Sequence, residues 1–125
     1  MAWNFTSDKP IFKQVLDRIL LSVLNGEYPP GSKLPTVRDV AVAAEVNPNT
    51  VQRAMVAAEE TGLIRTRRGD GHYVTEDEEK IREARFALAK EEANGFLSSM
   101  HALGLSDGEI VSLIETITRK DKNDG

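Results

Sequence analysis

The sequence predicts a mainly α-helical fold with one small β-hairpin, and three observations support this class. Apolar residues recur at helical spacing over most of the 125 residues. One Gly69-Asp70-Gly71 turn lies between two short runs that suit β-strands. After Thr75 the amphipathic helical pattern returns. A chain of this length supports one small domain with an appendage rather than two full domains.

The first predicted helix covers about residues 10 to 25 and acts as a scaffold. Ile11, Val15, Ile19 and Val23 follow one another at four-residue steps and form an apolar stripe. Gly26 follows as a helix-ending residue. We expect this stripe to face the core of the N-terminal domain.

Two short helices come next, and only Glu45 to Asn47 separate them. Thr36 suits the N-cap of the first, because its hydroxyl can accept a free backbone N–H of the first turn. Asn47 suits the N-cap of the second, with Pro48 at the first helical position. Because the gap is so short, the helices turn sharply against each other. Such a pair forms a helix-turn-helix, whose second helix is offered to the major groove of DNA.

The second helix of this pair, over about residues 48 to 61, carries polar side chains opposite its apolar side. Asn49, Gln52 and Arg53 lie on the outward side. The donors and acceptors of these residue types match the major-groove edges of adenine and guanine. Taken alone, the pattern also describes an ordinary amphipathic helix whose polar residues face water. The elements on either side favour a recognition helix.

A basic hairpin follows directly, over about residues 63 to 75. Arg65, Arg67 and Arg68 crowd one arm and its tip. A hairpin of this kind in isolation is also compatible with a solvated structural element. Beside a helix-turn-helix it is a wing, so we predict an N-terminal winged helix-turn-helix domain over residues 1–75.

Residues 76–125 are predicted to form two further amphipathic helices that serve as a dimerisation segment. Ser106 and Glu109 make a capping box at the start of the last helix. The apolar sides of these helices exceed what a small winged helix can cover, so we expect a homodimer. Packing within the chain alone is the alternative. The predicted dimer-interface residues are Phe86, Ala93, Phe96, Leu97, Met100, Ile110, Leu113, Ile114 and Ile117.

The charge is unevenly distributed between these two parts. The whole chain has a formal net charge of −4. Residues 1–75 hold nine basic and eight acidic side chains, a net of +1, whereas residues 76–125 hold seven and twelve, a net of −5. The local field at an interface matters more than the total. Because the net positive charge of residues 1–75 is small, we expect affinity for DNA to be gained by a dimer rather than by one monomer.

The composition argues against an enzyme, a metal site or a membrane protein. The chain has no cysteine, which rules out disulfides and thiolate chemistry. The two histidines, His72 and His101, lie far apart and lack metal-ligand spacing. Gly69-Asp70-Gly71 is a turn rather than a phosphate-binding loop. No apolar run approaches the ~18 residues of a membrane span. We expect no catalytic residue, metal or cofactor, and a cytoplasmic location.

Several segments between residues 10 and 74 keep the order and spacing of a known family. They are Pro10–Val15, Gly26, Pro30–Arg38, Val46–Ala54, Gly62–Ile64 and Arg68–Gly71. In these segments the sequence resembles the GntR-type winged-helix transcription regulators, and in particular their small YtrA-like branch. It departs from the family in the small residues of Val40–Ala44 and Met55–Ala58, where larger side chains are usual.

The resemblance implies a sequence-specific DNA-binding regulator, usually a repressor, with a short helical C-terminal segment used for dimerisation. Its partners would be a double-stranded DNA operator and a second copy of the chain. Because the dimer would have two-fold symmetry, the operator would be an inverted repeat. A small-molecule effector of unidentified chemistry is left open. The rival hypothesis is a winged helix that binds other proteins without operator recognition. By resemblance, the positions that contact DNA are Arg38, Asn47, Asn49, Thr50, Gln52, Arg53, Arg68 and the Gly69 backbone.

Overall fold

The computed structural model describes the backbone of residues 3–124 and the side chains of residues 3–120. In this part of the chain it has five helices and one two-stranded antiparallel sheet, which confirms the predicted fold class. The elements, in chain order, are α1 (Ile11–Leu24), α2 (Val37–Ala44), α3 (Pro48–Glu60), β1 (Ile64–Arg67), β2 (Gly71–Val74), α4 (Glu78–Ala102) and α5 (Asp107–Asp124).

The helix-turn-helix begins and turns where the sequence predicts. The Thr36 hydroxyl accepts a hydrogen bond from the Asp39 backbone N–H at 3.0 Å and caps α2. The Asn47 side chain accepts from the Asn49 N–H at 2.8 Å and caps α3. Glu45 ends α2 with a φ of 56°, a left-handed conformation that non-glycine residues rarely adopt. This residue turns the chain from α2 into α3.

The core of the N-terminal unit is formed mainly where α1 packs against α3. Val15 and Ile19 of α1 are fully buried, as are Val51 and Ala54 of α3. The buried residues of α3 recur at intervals of three and four, so they share one side of the helix. Its opposite side is therefore left for solvent or a ligand.

The start of α4 belongs to the same compact unit, which ends at Arg85. Ile81 is only 4% exposed and is part of the core cluster. The Arg85 side chain donates from Nε to the Leu24 carbonyl oxygen at 2.7 Å, which satisfies an acceptor at the C-terminus of α1. The unit thus extends beyond residue 75, the end of the winged helix-turn-helix domain proposed from the sequence.

The second compact unit begins at Phe86 and contains the rest of α4 and the helix α5. Its capping box is present as predicted. The Ser106 hydroxyl accepts from the Glu109 N–H at 3.2 Å, and the Glu109 carboxylate accepts from the Ser106 N–H at 3.0 Å. The bond from the Ser106 backbone lowers the pKa of Glu109 below its ordinary value. At the same turn, His101 Nε2 lies 2.7 Å from an Asp107 carboxylate oxygen.

Candidate nucleic-acid interface

The helix α3 presents a polar face to solvent. Asn49, Gln52 and Arg53 are exposed, and Thr50 is half-buried at the edge of this face. None of these side chains is needed to fill the core, because the buried residues of α3 lie on the other side. The arrangement matches what a recognition helix requires, because side chains with hydrogen-bond donors and acceptors are exposed on this face.

Two further predicted residues lie at helix N-termini. Asn47 is exposed and combines a position at the tip of α3 with its role as N-cap. Arg38 lies in the first turn of α2 and is exposed. A cation here can reach a backbone phosphate while α3 occupies a groove, as the first helix of such a motif crosses the DNA backbone.

Arg53 does not extend freely into solvent. Its guanidinium carbon lies 3.7 Å from the centroid of the Phe12 ring, over the ring and within the range of a cation–π interaction. Phe12 belongs to α1 and is itself half-buried. The predicted contact residue on α3 is thus held against the scaffold helix.

The wing is a hairpin of two four-residue strands, β1 and β2, joined by a tight turn. The Asp70 N–H donates to the Arg67 carbonyl at 2.9 Å, and Gly69 has a φ of 79°. A positive φ at the third residue of a turn is the type II arrangement, which requires glycine or asparagine. A Cβ atom at Gly69 would meet nothing within 4 Å, so the backbone at the tip is open to a ligand. Arg68, beside it, is exposed.

A chain of polar contacts runs through the wing. The Tyr73 hydroxyl donates to Asp70 Oδ2 at 2.6 Å, and the Lys33 ammonium lies 3.4 Å from Asp70 Oδ1. The Arg67 guanidinium carbon lies 4.0 Å from the centroid of the Tyr73 ring. The hydrogen bond from Tyr73, followed by that from Lys33, holds the pKa of Asp70 below its ordinary value. The same bond to Asp70 raises the pKa of Tyr73.

Two sets of contacts fix this hairpin to the rest of its unit. The segment before α2 runs beside β2, where the Leu34 N–H donates to His72 O and the Val74 N–H donates to Ser32 O, both at 2.9 Å. His72 Nδ1 also lies 3.3 Å from a carboxylate oxygen of Glu59 near the end of α3. The wing is therefore held at a defined position relative to α3.

Four residues of this surface were not predicted as site residues from the sequence: Phe12, Lys33, Asp70 and Tyr73. Tyr73 could have been found, because the register pairs it with Arg65 and so sets it diagonal to Arg67. Diagonal neighbours across a hairpin lie within reach of aromatic and long side chains. Phe12 gave no such signal, since its proximity to Arg53 depends on how α1 packs against α3.

The predicted dimer-interface residues lie on α4 and α5 with different degrees of burial. Phe86 is 71% exposed, whereas Ile110 is only 2% exposed and already buried within the single chain. Leu97, Met100 and Leu113 are half-buried. The remaining predicted interface residues are exposed: Ala93, Phe96, Ile114 and Ile117.

Neither a metal cluster nor a membrane helix is found in the part of the chain that the structure describes. No three His, Cys, Asp or Glu side chains of those residues come together as metal ligands would. None of the described helices combines the length and the apolar character needed to cross a bilayer.

A family model and two similar relatives point to the same family of bacterial regulators. Residues 12–74 match the model of the family described as bacterial regulatory proteins, gntR family. The chain is 40% identical over 115 residues to YhcF of Bacillus subtilis, an HTH-type transcriptional regulator, covering 92% of this chain and 95% of YhcF. It is 32% identical over 113 residues to the HTH-type transcriptional repressor YtrA of the same organism, covering 90% and 87%.

A solved structure gives the same result for the fold. A GntR family transcriptional regulator from Listeria monocytogenes superposes with a TM-score of 0.84 at 39% sequence identity. The superposition covers 90% of this chain and 98% of the Listeria chain. The similarity therefore extends past the winged helix into the C-terminal helices.

Proposed function

This chain belongs to the GntR family of bacterial regulatory proteins, and from that membership we propose that it is a homodimeric repressor of an inverted-repeat operator. DNA-binding transcriptional regulation is the function of the family. Repression is proposed because the relative YtrA is named a transcriptional repressor. Since its proposed ligand is chromosomal DNA, we place the protein in the cytoplasm.

The exposed polar face of α3 is the observation that carries the proposal. We assign base recognition in the major groove to Asn49, Gln52 and Arg53, whose side chains are exposed on one side of α3. An amide can make two hydrogen bonds to adenine, and a guanidinium can make two to guanine. Thr50 and the N-cap residue Asn47 lie next to this face. We assign them to contacts with the DNA backbone at the edge of the major groove.

The remaining proposed contacts position the protein rather than read bases. We assign Arg38, Arg68 and the Gly69 backbone to phosphate groups on either side of the groove. Arg38 and Arg68 are exposed, and the turn at Gly69 leaves room for a close backbone approach. Contacts of this kind set orientation and supply sequence-independent affinity.

Dimerisation through residues 76–125 completes the proposal. Phe86, Phe96, Ile114 and Ile117 are large apolar side chains that the single chain leaves exposed. Burying such residues against a second copy gives hydrophobic stabilisation, and a two-fold dimer presents two recognition helices to two half-sites. Ile110 packs within the chain, so we leave it out of the surface that meets the partner.

Selection of binding sites from a random pool of DNA duplexes tests the proposal directly. We expect an inverted repeat whose half-sites are separated by about one helical turn. Affinity for the selected duplex should fall linearly with salt on logarithmic axes, since phosphate contacts release counterions. Failure to enrich any sequence, together with a flat salt dependence, would contradict operator binding and favour a protein-interaction module.

A further inference from the structure

Arg53 and Phe12 form a cation–π pair between the exposed face of α3 and the scaffold helix α1. The guanidinium carbon of Arg53 lies 3.7 Å from the centre of the Phe12 ring. In the described part of the chain, the other such pair is Arg67 over Tyr73 on the wing. The Phe12 ring is half-buried, so α1 holds it in place while one side of it supports the arginine.

Stacking on a ring leaves an arginine able to bind DNA. The five N–H donors of a guanidinium lie in its own plane, whereas the aromatic ring meets its face. Arg53 is exposed, so those donors remain available at the edge of the α3 surface. The cation–π contact and a two-bond contact to a guanine or a phosphate are therefore compatible in the same complex.

The contact also reduces the cost of binding. A free arginine side chain loses rotamer entropy when it is immobilised at an interface. Over Phe12 this side chain is already restricted before DNA arrives. Pre-organisation of this kind increases affinity without adding a contact to the ligand.

We propose that Phe12 is a positioning residue for DNA recognition, which sets the direction of the Arg53 guanidinium through its aromatic ring. The inference rests on the proposed function, because it assigns Phe12 a role in the same DNA interface. It adds an aromatic side chain of α1, acting through Arg53, to the residues that determine sequence preference.

A double-mutant cycle with a duplex selected from a random pool by the unmodified chain tests this role. Phe12→Leu keeps an apolar side chain but removes the ring, and we expect it to weaken binding about two- to fivefold. Phe12→Tyr keeps the ring and should bind like the unmodified chain. In an Arg53→Ala background, Phe12→Leu should cause no further loss, since the side chain through which it acts is absent.

Base preference supplies a readout that a merely structural role would not change. Repeating the selection with Phe12→Leu should relax preference at the same base pair of each half-site that Arg53→Ala relaxes. Phe5→Leu is the matched control, because Phe5 is another half-buried ring of the same unit that supports no arginine in the described structure. This control should leave the preference unchanged.

The NMR signal of the Arg53 Nε proton keeps the test decisive if Phe12→Leu lowers stability. Ring current from Phe12 should shift this signal upfield in the unmodified chain and in Phe12→Tyr at a temperature where both are folded. Two results would overturn the positioning role of Phe12 but not the proposed function. One is the absence of that shift, and the other is an equal loss of binding from Phe12→Leu with and without Arg53. An unmodified chain that selects no duplex overturns the proposed function and this inference with it.

Discussion

At the scale of single residues, substitutions at Gln52 and Asn47 distinguish a loss of base recognition from a loss of folding stability. Gln52 is exposed on α3 with no core contact to lose, so Gln52→Ala should leave the thermal midpoint nearly unchanged. It should cost about 1–3 kcal/mol against the best duplex and relax preference at one base pair per half-site. Melting curves and competition binding measure the two effects. A destabilised Gln52→Ala that keeps its site preference would contradict the assignment of α3 as a recognition helix.

Asn47→Ala is the companion variant and should behave differently. The Asn47 side chain caps α3 by accepting the Asn49 N–H at 2.8 Å. Losing an N-cap costs about 1 kcal/mol of stability, whether or not the residue also meets DNA. We expect a lower thermal midpoint with unchanged base preference.

Tyr73→Phe should raise the pKa of Asp70 toward its ordinary value. The variant removes the hydrogen bond that is the main cause of the lowered pKa, while it keeps the ring beneath Arg67. Because the pKa of Asp70 is lowered and that of Tyr73 is raised, their bond is intact near neutral pH. It is lost as the pH falls through the lowered pKa of Asp70 or rises through the raised pKa of Tyr73. NMR titration of the Asp70 carboxyl carbon measures the shift, and an unchanged pKa would contradict this cause.

At the scale of elements, the wing is expected to position the protein rather than read bases. Arg68 is exposed at its tip, next to the open backbone of Gly69. Arg68→Ala should weaken binding to selected and random duplexes by similar factors and lower the salt slope by about one ion per site. Binding measured at several salt concentrations tests this expectation. A changed base preference would show that the wing reads sequence in the minor groove.

The first turns of α4 are expected to stabilise the winged helix. A chain ending at Thr75 lacks both Ile81, which is 4% exposed, and the Arg85 bond to the Leu24 carbonyl. Burying an isoleucine side chain fully contributes about 1.5–3 kcal/mol of stability. In thermal unfolding, a chain ending at Arg85 should therefore be more stable than one ending at Thr75. Equal midpoints would place the end of the folding unit at the hairpin.

At the scale of the whole molecule, binding depends on whether two copies associate. Ile114 and Ile117 are exposed on α5 in the single chain. A double variant Ile114→Glu with Ile117→Glu should convert the proposed dimer to a monomer, because paired burial would place charges in an apolar interface. Sedimentation equilibrium should detect this change.

Affinity for the inverted repeat should then fall about 100-fold or more, since the second half-site is no longer bound by a linked domain. Leu21→Glu, at an exposed apolar residue of α1, is the control that should remain a dimer. A monomeric unmodified chain, or a double variant with full affinity, would contradict the dimer proposal.

The sequence by itself determined the secondary-structure elements and those helix starts and turns that depend on local chemistry. Thr36, Asn47 and Ser106 predicted three helix starts, since a cap acts within one turn of its own residue. The three-residue gap that ends at Asn47 predicted a sharp turn, and Gly69 marked the hairpin. Because these signals depend on neighbours a few residues away, they can be read before any tertiary contact is known.

Only the tertiary structure decided how distant residues complete the candidate interface. Arg53 meets Phe12 because α1 packs on α3, and Lys33 reaches Asp70 because the segment before α2 runs beside the wing. Likewise, Ile81 extends the winged-helix core past the hairpin. Contacts between residues 37 or more positions apart, such as Lys33 with Asp70, leave no periodic or spacing pattern in a sequence. Packing of the folded chain brings these side chains together, so the fold had to be known before they could be found.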